Sequence, residues 1–410
     1  MIPLMNVSLL AIFLAAAPLS AANADLIFHN GKIVTVDANF SIAQAVAIKG
    51  NRIVAVGTNR EVLAAERGPA TRIIDLHGRT VLPGLIDSHV HPIEAGLSEF
   101  RGPLPRLDSY RAVQQYLLAR AKVIPKGKWI VVPRTFPTRL AEMRMPTRDV
   151  LDVVKDHPVM FDASYTVIVN SYALKMCGIT RATPNPPGGV IVKDSNGEPN
   201  GILKNAESLL KGLDQAETFS EADQITALEA MHKRYIAAGL TSIIDRAMTP
   251  EQIALYGKMK AEHRLHIRAY LTWRMPTNAP TAELVKRIQD ASYRRENGDD
   301  WLRFGIFKVT LDGGMTIGTA YQRAPYGPFG RQLYGMTDPD DRGQLFVPPD
   351  KLLAIMRAAR AKGWQLSAHS QGGGAVDALL NAFDALNREK PIAPVRAHVI
   401  HASFQSPDAI

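Results

Sequence analysis

Val81-Leu-Pro-Gly-Leu-Ile-Asp-Ser-His-Val-His-Pro92 joins an apolar run to two histidines spaced two apart. The run predicts a short buried strand. Successive side chains on a strand point to opposite faces, so His89 and His91 project to one side. Neutral imidazole is the commonest protein ligand for divalent transition metals, and two on one face make a metal clamp. Histidines two apart also arise on surfaces by chance, so the reading depends on what the rest of the chain places beside them.

Upstream, Met1 to Ala24 carry no charged side chain, with an apolar centre from Val7 to Pro18 and small residues ending Ala22-Asn23-Ala24. That layout predicts a secretory signal peptide over residues 1–24, cleaved before Asp25, although the usual Lys or Arg near its start is missing. Its apolar centre of about a dozen residues falls short of the roughly 20 needed for a span, so no stable membrane insertion is expected after cleavage. Export to the periplasm or beyond follows. From Asp25 the sequence alternates as strands do, with Asn30-Gly31 and Gly50-Asn51 as hairpin turns, and residues 25–80 read as part of a small β-sandwich.

The 410 residues are 46% apolar and 21% charged, ordinary for a large globular chain. A formal charge of +9 comes from 48 basic and 39 acidic residues scattered without a basic run, which argues against nucleic-acid binding. The single cysteine, Cys177, cannot form an internal disulfide and reads as a small core residue.

Downstream, residues 95–238 hold no second strand of the same kind, and connections this long are inserted subdomains. Helical patterning at Tyr110–Ile124, strand-like runs at Trp129–Pro133 and Val159–Phe161, and Pro/Gly turns give the insert its own structure. Ser220 and Asp223 then form a capping box before a helix faced by Ile225, Leu228, Met231 and Tyr235 and stopped at Gly239. Strand and helix alternate from there. Apolar strands are expected at Leu240–Asp245, Ile267–Trp273, Leu302–Val309, Trp364–His369 and Val395–His401. This is the pattern of a parallel sheet covered by helices. With Val81 six units are counted, favouring a (β/α)8 barrel over 81–410 with six of its eight units present. No Gly-x-Gly-x-x-Gly follows any strand, which disfavours the doubly wound alternative.

Barrel active sites form at the carboxyl ends of the strands. Those ends carry His89 and His91, Asp245, Lys308, His369 and His401. A core histidine or a salt-bridged lysine explains any one of them alone. Together they read as metal ligands.

Pro83-Gly-Leu-Ile-Asp-x-His-x-His91 and these strand ends resemble the metal-dependent amidohydrolase superfamily. Val169-Asn170-Ser171-x-Ala173-Leu174, Gly178-Ile179-Thr180, Thr183-Pro-Asn-Pro-Pro-Gly-Gly189 and Gly197-Glu198-Pro199-x-Gly201 resemble, within it, the N-substituted formamide deformylase-like branch. The resemblance implies one or two divalent ions, zinc first, held by His89, His91, His369 and His401, with Lys308 in Phe-Lys-Val-x-x-Asp-Gly-Gly as a carboxylated bridge. It implies hydrolysis of a non-peptide carbon–nitrogen bond in a small molecule by a metal-activated water. The family base is an aspartate of the eighth strand, which this chain does not reach before Ile410, so a C-terminally truncated member is expected and the catalytic residue stays unassigned. Tyr165 and Ile168 stand where relatives carry a histidine and an aromatic, and Gly373 where they carry an acid. Tyr165, Asn170 and Asp312 are the candidates to line the pocket. An inactive fragment or binding protein of the same fold, and a hydrolase of lactones, esters or phosphotriesters, stay open as alternatives. So does a homo-oligomer.

Overall fold

The computed structural model describes residues 23–100, 102–213, 219–292 and 297–410. The signal-peptide expectation falls on residues 1–22 and lies outside them, apart from its last two residues. Among the described residues no helix is long and apolar enough to cross a membrane. The chain divides after Leu85 into two compact units.

The N-terminal unit holds two small sheets. One has the order Arg52–Gly57, Ala45–Lys49, Leu26–His29, Arg72–Asp75; the other runs Ile42–Ala43, Lys32–Val34, Thr80–Val81. The Gly50-Asn51 turn closes a hairpin, with Lys49 opposite Arg52. Asn30-Gly31 does not. Leu26–His29 and Lys32–Val34 belong to different sheets, and the turn carries the chain from one to the other. Gly31 is required there, because a Cβ would sit 2.3 Å from Leu76 Cδ1. Thr80–Val81 pairs with Lys32–Val34, so the strand expected from Val81 onward is two pieces. The second, Leu85–Val90, exposes Leu85 (56%) and Ile86 (69%) rather than burying them.

Within Ile86–Ile410, residues 95–238 form a five-stranded sheet ordered Val190–Lys193, Pro199–Lys204, Thr166–Val169, Val159–Asp162, Ile130–Val132, with the helix Tyr110–Ala121 beside it. Its strands are apolar on both sides because both faces are covered. Phe161, Ile168 and Ile202 enter one core, while Met160, Val167 and Leu203 enter another. Cys177 is buried in the second, as a small core residue.

The larger sheet has six main strands whose spatial order is their chain order: Leu85–Val90, Leu240–Met248, Arg268–Arg274, Leu302–Thr310, Gln365–Ser370 and His398–His401. From the second to the sixth, neighbours pair in parallel. Helices Pro250–Ala261, Thr281–Asp290, Pro349–Ala361 and Gly373–Glu389 make the crossovers. The helix Glu221–Ala237 begins at the Ser220–Asp223 capping box and buries Ile225, Leu228 and Met231. The core between sheet and helices centres on Trp364, with Trp273, Phe304 and Phe307 packed around it at 5.2–6.4 Å between ring centres.

The sheet is curled. In a flat sheet the outer strands of six would stand about 24 Å apart at the usual strand spacing. Here His89 of the first strand lies 5.0 Å, ring to ring, from His401 of the sixth. Arg246 of the second strand reaches both Ser88 O on the first (2.8 Å) and His398 Nε2 on the sixth (2.9 Å). The architecture is therefore mixed α/β around a curled parallel sheet.

Candidate metal centre

The curl brings four imidazoles together at the carboxyl ends of the strands. His89 Nε2 and His91 Nε2 face each other at 3.3 Å. The His401 ring packs 5.0 Å from His89 and 4.5 Å from His369. His91 lies between the end of its strand at Val90 and the helix Pro92–Ser98, and its Nδ1 is buried without a hydrogen-bond partner. His401 carries φ +75°, a left-handed conformation that costs a non-glycine residue energy and turns the chain at the strand end.

Burial keeps these rings neutral. It lowers His89 to about 3 and His91 to about 4, with the Lys308 ammonium adding to each, and brings His369 to about 3. His401 is lowered by burial and then by Lys308. A neutral imidazole keeps the lone pair that a metal requires. Lys308, 4% exposed on the fourth strand, has no ion-pair partner among the described residues. Burial, then the charges of Arg246 and Arg274, lower its amine to about 7. Among the described residues, no three His, Cys, Asp or Glu side chains form a preformed ion cage. What exists is the His89–His91 nitrogen pair with two further rings packed against it.

Of the three pocket candidates two reach the imidazoles: the Tyr165 ring lies 5.5 Å from His369 and 5.8 Å from Phe346, and Asp312 Oδ1 lies 3.5 Å from His369 Nε2. Asn170 is elsewhere and fully engaged. Its Oδ1 accepts from Val159 N and Ala173 N, and its Nδ2 donates to Val154 O and His157 O, all at 3.0 Å. It caps the helix Ser171–Cys177 and has no group left for a ligand. Asp312 is a brace. Its carboxylate accepts from Tyr321 N, Gln371 N and Gly372 N at 2.7–2.9 Å, tying the loop after the fourth strand to that after the fifth. Burial raises it to about 6 against the pull of those donors. The Asp-Gly-Gly and Gly-x-Gly motifs serve this brace, since a Cβ on Gly313 would strike Thr319 Oγ1 at 1.9 Å and one on Gly372 would strike Tyr321 O at 2.1 Å. His369 Nε2 lies 3.1 Å from Gly313 O, which fixes the ring and leaves Nδ1 as the free nitrogen.

Asp245 was expected at a strand end, whereas Arg246, His398 and Arg274 were absent from the expected set. Asp245 lies within its strand rather than at its end, is 1% exposed, accepts from Tyr256 Oη at 3.2 Å and is raised by burial to about 8. Arg246 and His398 bridge the interior. Arg274 extends its strand one residue past Trp273, where the apolar pattern stops. A search one residue beyond each apolar run would have found Arg246 and Arg274.

Strand-end imidazoles on a curled parallel sheet define an α/β protein whose chemistry sits where barrel enzymes carry theirs. The chain belongs to the amidohydrolase family, whose sequence model matches residues 72–410. It is 30% identical over 382 residues to N-substituted formamide deformylase of Arthrobacter pascens, covering 89% of this chain and 66% of that one. It is 26% identical over 368 residues to Bacillus subtilis YtcJ, covering 87% and 65%. The chain thus spans about two thirds of the length of these curated relatives. An uncharacterized metal-dependent hydrolase from Pyrococcus furiosus shares the fold, with TM-score 0.58 and 20% identity over 91% of this chain and 76% of that one. One from Pyrococcus horikoshii does so with TM-score 0.59 and 19% identity, covering 91% and 74%.

Proposed function

We propose that this site hydrolyses a carbon–nitrogen bond in a small non-peptide amide, with one or two divalent ions, zinc by donor type, held by His89, His91, His369 and His401 and by Lys308 as a carbamate. The observation that supports this reading most is the meeting of four neutral imidazoles around a buried lysine with no direct ion pair among the described residues. Two nitrogens bound at about 2.1 Å to a tetrahedral ion lie about 3.4 Å apart, and the His89–His91 pair stands at 3.3 Å. Such an ion would polarise a carbonyl and draw the pKa of water from 15.7 towards about 7. With Nε2 on the ion, the buried His91 Nδ1 would carry the ring proton, facing Asp245 Oδ1 at 3.9 Å.

The chain's own residues do the positioning. Gly313 O and the Asp312 brace hold the His369 ring, and Arg246 fixes the first strand against the sixth. Tyr165 brings the inserted sheet over His369 and helps exclude water. A neutral Lys308 amine can add to carbon dioxide with loss of a proton, giving a carbamate whose two oxygens replace an amine that offers one lone pair.

The test is metal content by plasma mass spectrometry of the purified chain, with hydrolysis of N-formyl and N-acyl amines before and after chelation. One or two zinc-like ions per chain and chelator-sensitive amide cleavage are expected. Folded protein that takes up no divalent ion, or that cleaves only lactones, esters or phosphotriesters, would refute the reading.

A further inference from the structure

We infer that Tyr256, buried in the helix layer behind the sheet, is a positioning residue for His91: acting through Asp245, it decides which nitrogen of that ring is offered to the ion. This rests on the reading above in supposing that an ion binds there. Side chains alternate along the strand Leu240–Met248. Arg246 points into the curl, where it meets Ser88 O and His398. Asp245 points the other way, in register with Leu271, which belongs with Ile243 to the apolar core under the helices. A carboxylate is costly to bury in such a layer, and packing alone would be served better by an alkyl group.

Two side chains meet this carboxylate. Tyr256, fully buried on the helix Pro250–Ala261, donates its hydroxyl to Asp245 Oδ2 at 3.2 Å. His91 Nδ1 stands 3.9 Å from Oδ1. The backbone N–H of Ala247 donates to the carboxylate as well. With Oδ2 taken by the phenol, Oδ1 is the oxygen turned to the ring. The separation is longer than a hydrogen bond, yet short enough in a dry layer for the carboxylate charge to draw the ring proton onto Nδ1.

The lone pair then sits on Nε2, which faces His89 Nε2 across 3.3 Å. That is the nitrogen an ion needs, and the opposite tautomer would close it. A phenylalanine would fill the same space as Tyr256. What the hydroxyl adds is the bond to Oδ2; without it the carboxylate keeps only the Ala247 N–H and can turn away from Nδ1.

NMR of the metal-free protein with isotope-labelled histidine reads the tautomer of each ring, and His91→Gln assigns the signal. At about pH 9.5, above the value of about 8 to which burial raises Asp245, the carboxylate can only accept. The wild-type His91 proton is expected on Nδ1, and Tyr256→Phe should give a mixture of both tautomers. Asp245→Asn should move the proton to Nε2, since the amide gives its oxygen to Tyr256 and its N–H to the ring. Zinc affinity, measured against a chelating indicator at about pH 7.5, should fall about fivefold in Tyr256→Phe and about tenfold or more in Asp245→Asn. A wild-type His91 that carries its proton on Nε2 would overturn the inference. So would a Tyr256→Phe protein that loses stability in urea yet keeps the wild-type tautomer or the wild-type zinc affinity. Wild-type protein that takes up no zinc, while Tyr256→Phe still shifts the tautomer, removes the metal reading and keeps Tyr256 as the residue that orients His91.

Discussion

Lys308 is surrounded by four imidazoles and lies within reach of two guanidinium charges. Asp245 is the one acidic charge that acts on it, and burial with the two guanidiniums outweighs that pull, so the residue is not explained by stability. Lys308→Ala and His89→Ala are each expected to lower hydrolysis by about a hundredfold or more while leaving the unfolding midpoint of the metal-free protein nearly unchanged. Turnover assays beside thermal unfolding check this, and undiminished turnover in both variants would sink the site assignment. His232 is a separate matter. It is fully buried on the helix Glu221–Ala237, both ring nitrogens lack partners, and Tyr256 packs 6.0 Å away. Burial, then His266, lowers it to about 4, with only Glu229 opposing. A histidine depressed in the fold contributes its full stability above the unfolded value of 6.5 and loses it as pH falls from there through about 4. The loss amounts to about 3 kcal/mol. Urea unfolding at pH 7 and pH 4 should show that much less acid sensitivity in His232→Leu. At this scale the sequence was legible wherever chemistry and strand periodicity agreed, as at His89, His369 and His401. It misled at Asn170, where an amide that looks available is saturated by backbone partners that no local pattern reveals.

Asn170 matters as the joint of an element. It holds the start of the helix Ser171–Cys177 to Val159 and to the turn before it. Asn170→Ala strands two backbone donors and two acceptors in a dry core. Each unsatisfied group costs about 1–3 kcal/mol, so a loss of at least about 3 kcal/mol is expected in denaturant unfolding of the protein. A loss under 1 kcal/mol would mean that the network repairs itself. Elements were readable where an end signal and a period coincided, as in the Ser220 helix and the strand Leu302–Thr310. They were misread where pairing is decided at a distance. Asn30-Gly31 has the composition of a hairpin turn, yet its flanking strands find better partners in Ala45–Lys49 and Ile42–Ala43. The apolar run Val81–Ile86 looked like one buried strand, and its split across two sheets leaves Leu82, Leu85 and Ile86 exposed.

On the scale of the molecule, the alternation of strands and helices predicted a parallel α/β sheet, which the structure contains as six curled strands. The curl itself has no local signature. It is seen only when residues far apart in sequence, such as His89 and His401, meet. The N-terminal unit leaves Arg52–Gly57 as the outer strand of its sheet with Ile53, Val54 and Val56 exposed. An apolar edge invites pairing between chains. Ile53→Lys is therefore expected to lower concentration-dependent light scattering, and scattering that does not change would place the association elsewhere.

The match between strand order in space and in the chain bears on how the protein is made. From Leu240 onward each strand can dock on its predecessor soon after it emerges, because the contacts are local. The first strand cannot. Val90 and Leu240 must wait for the whole inserted sheet, with its two cores, to collapse between them. Of the four histidines His401 is made last. The proposed ion thus finds these histidines together only after the first five strands have been made, and it acts as a late latch on structure already formed, not as a seed around which the nascent chain gathers.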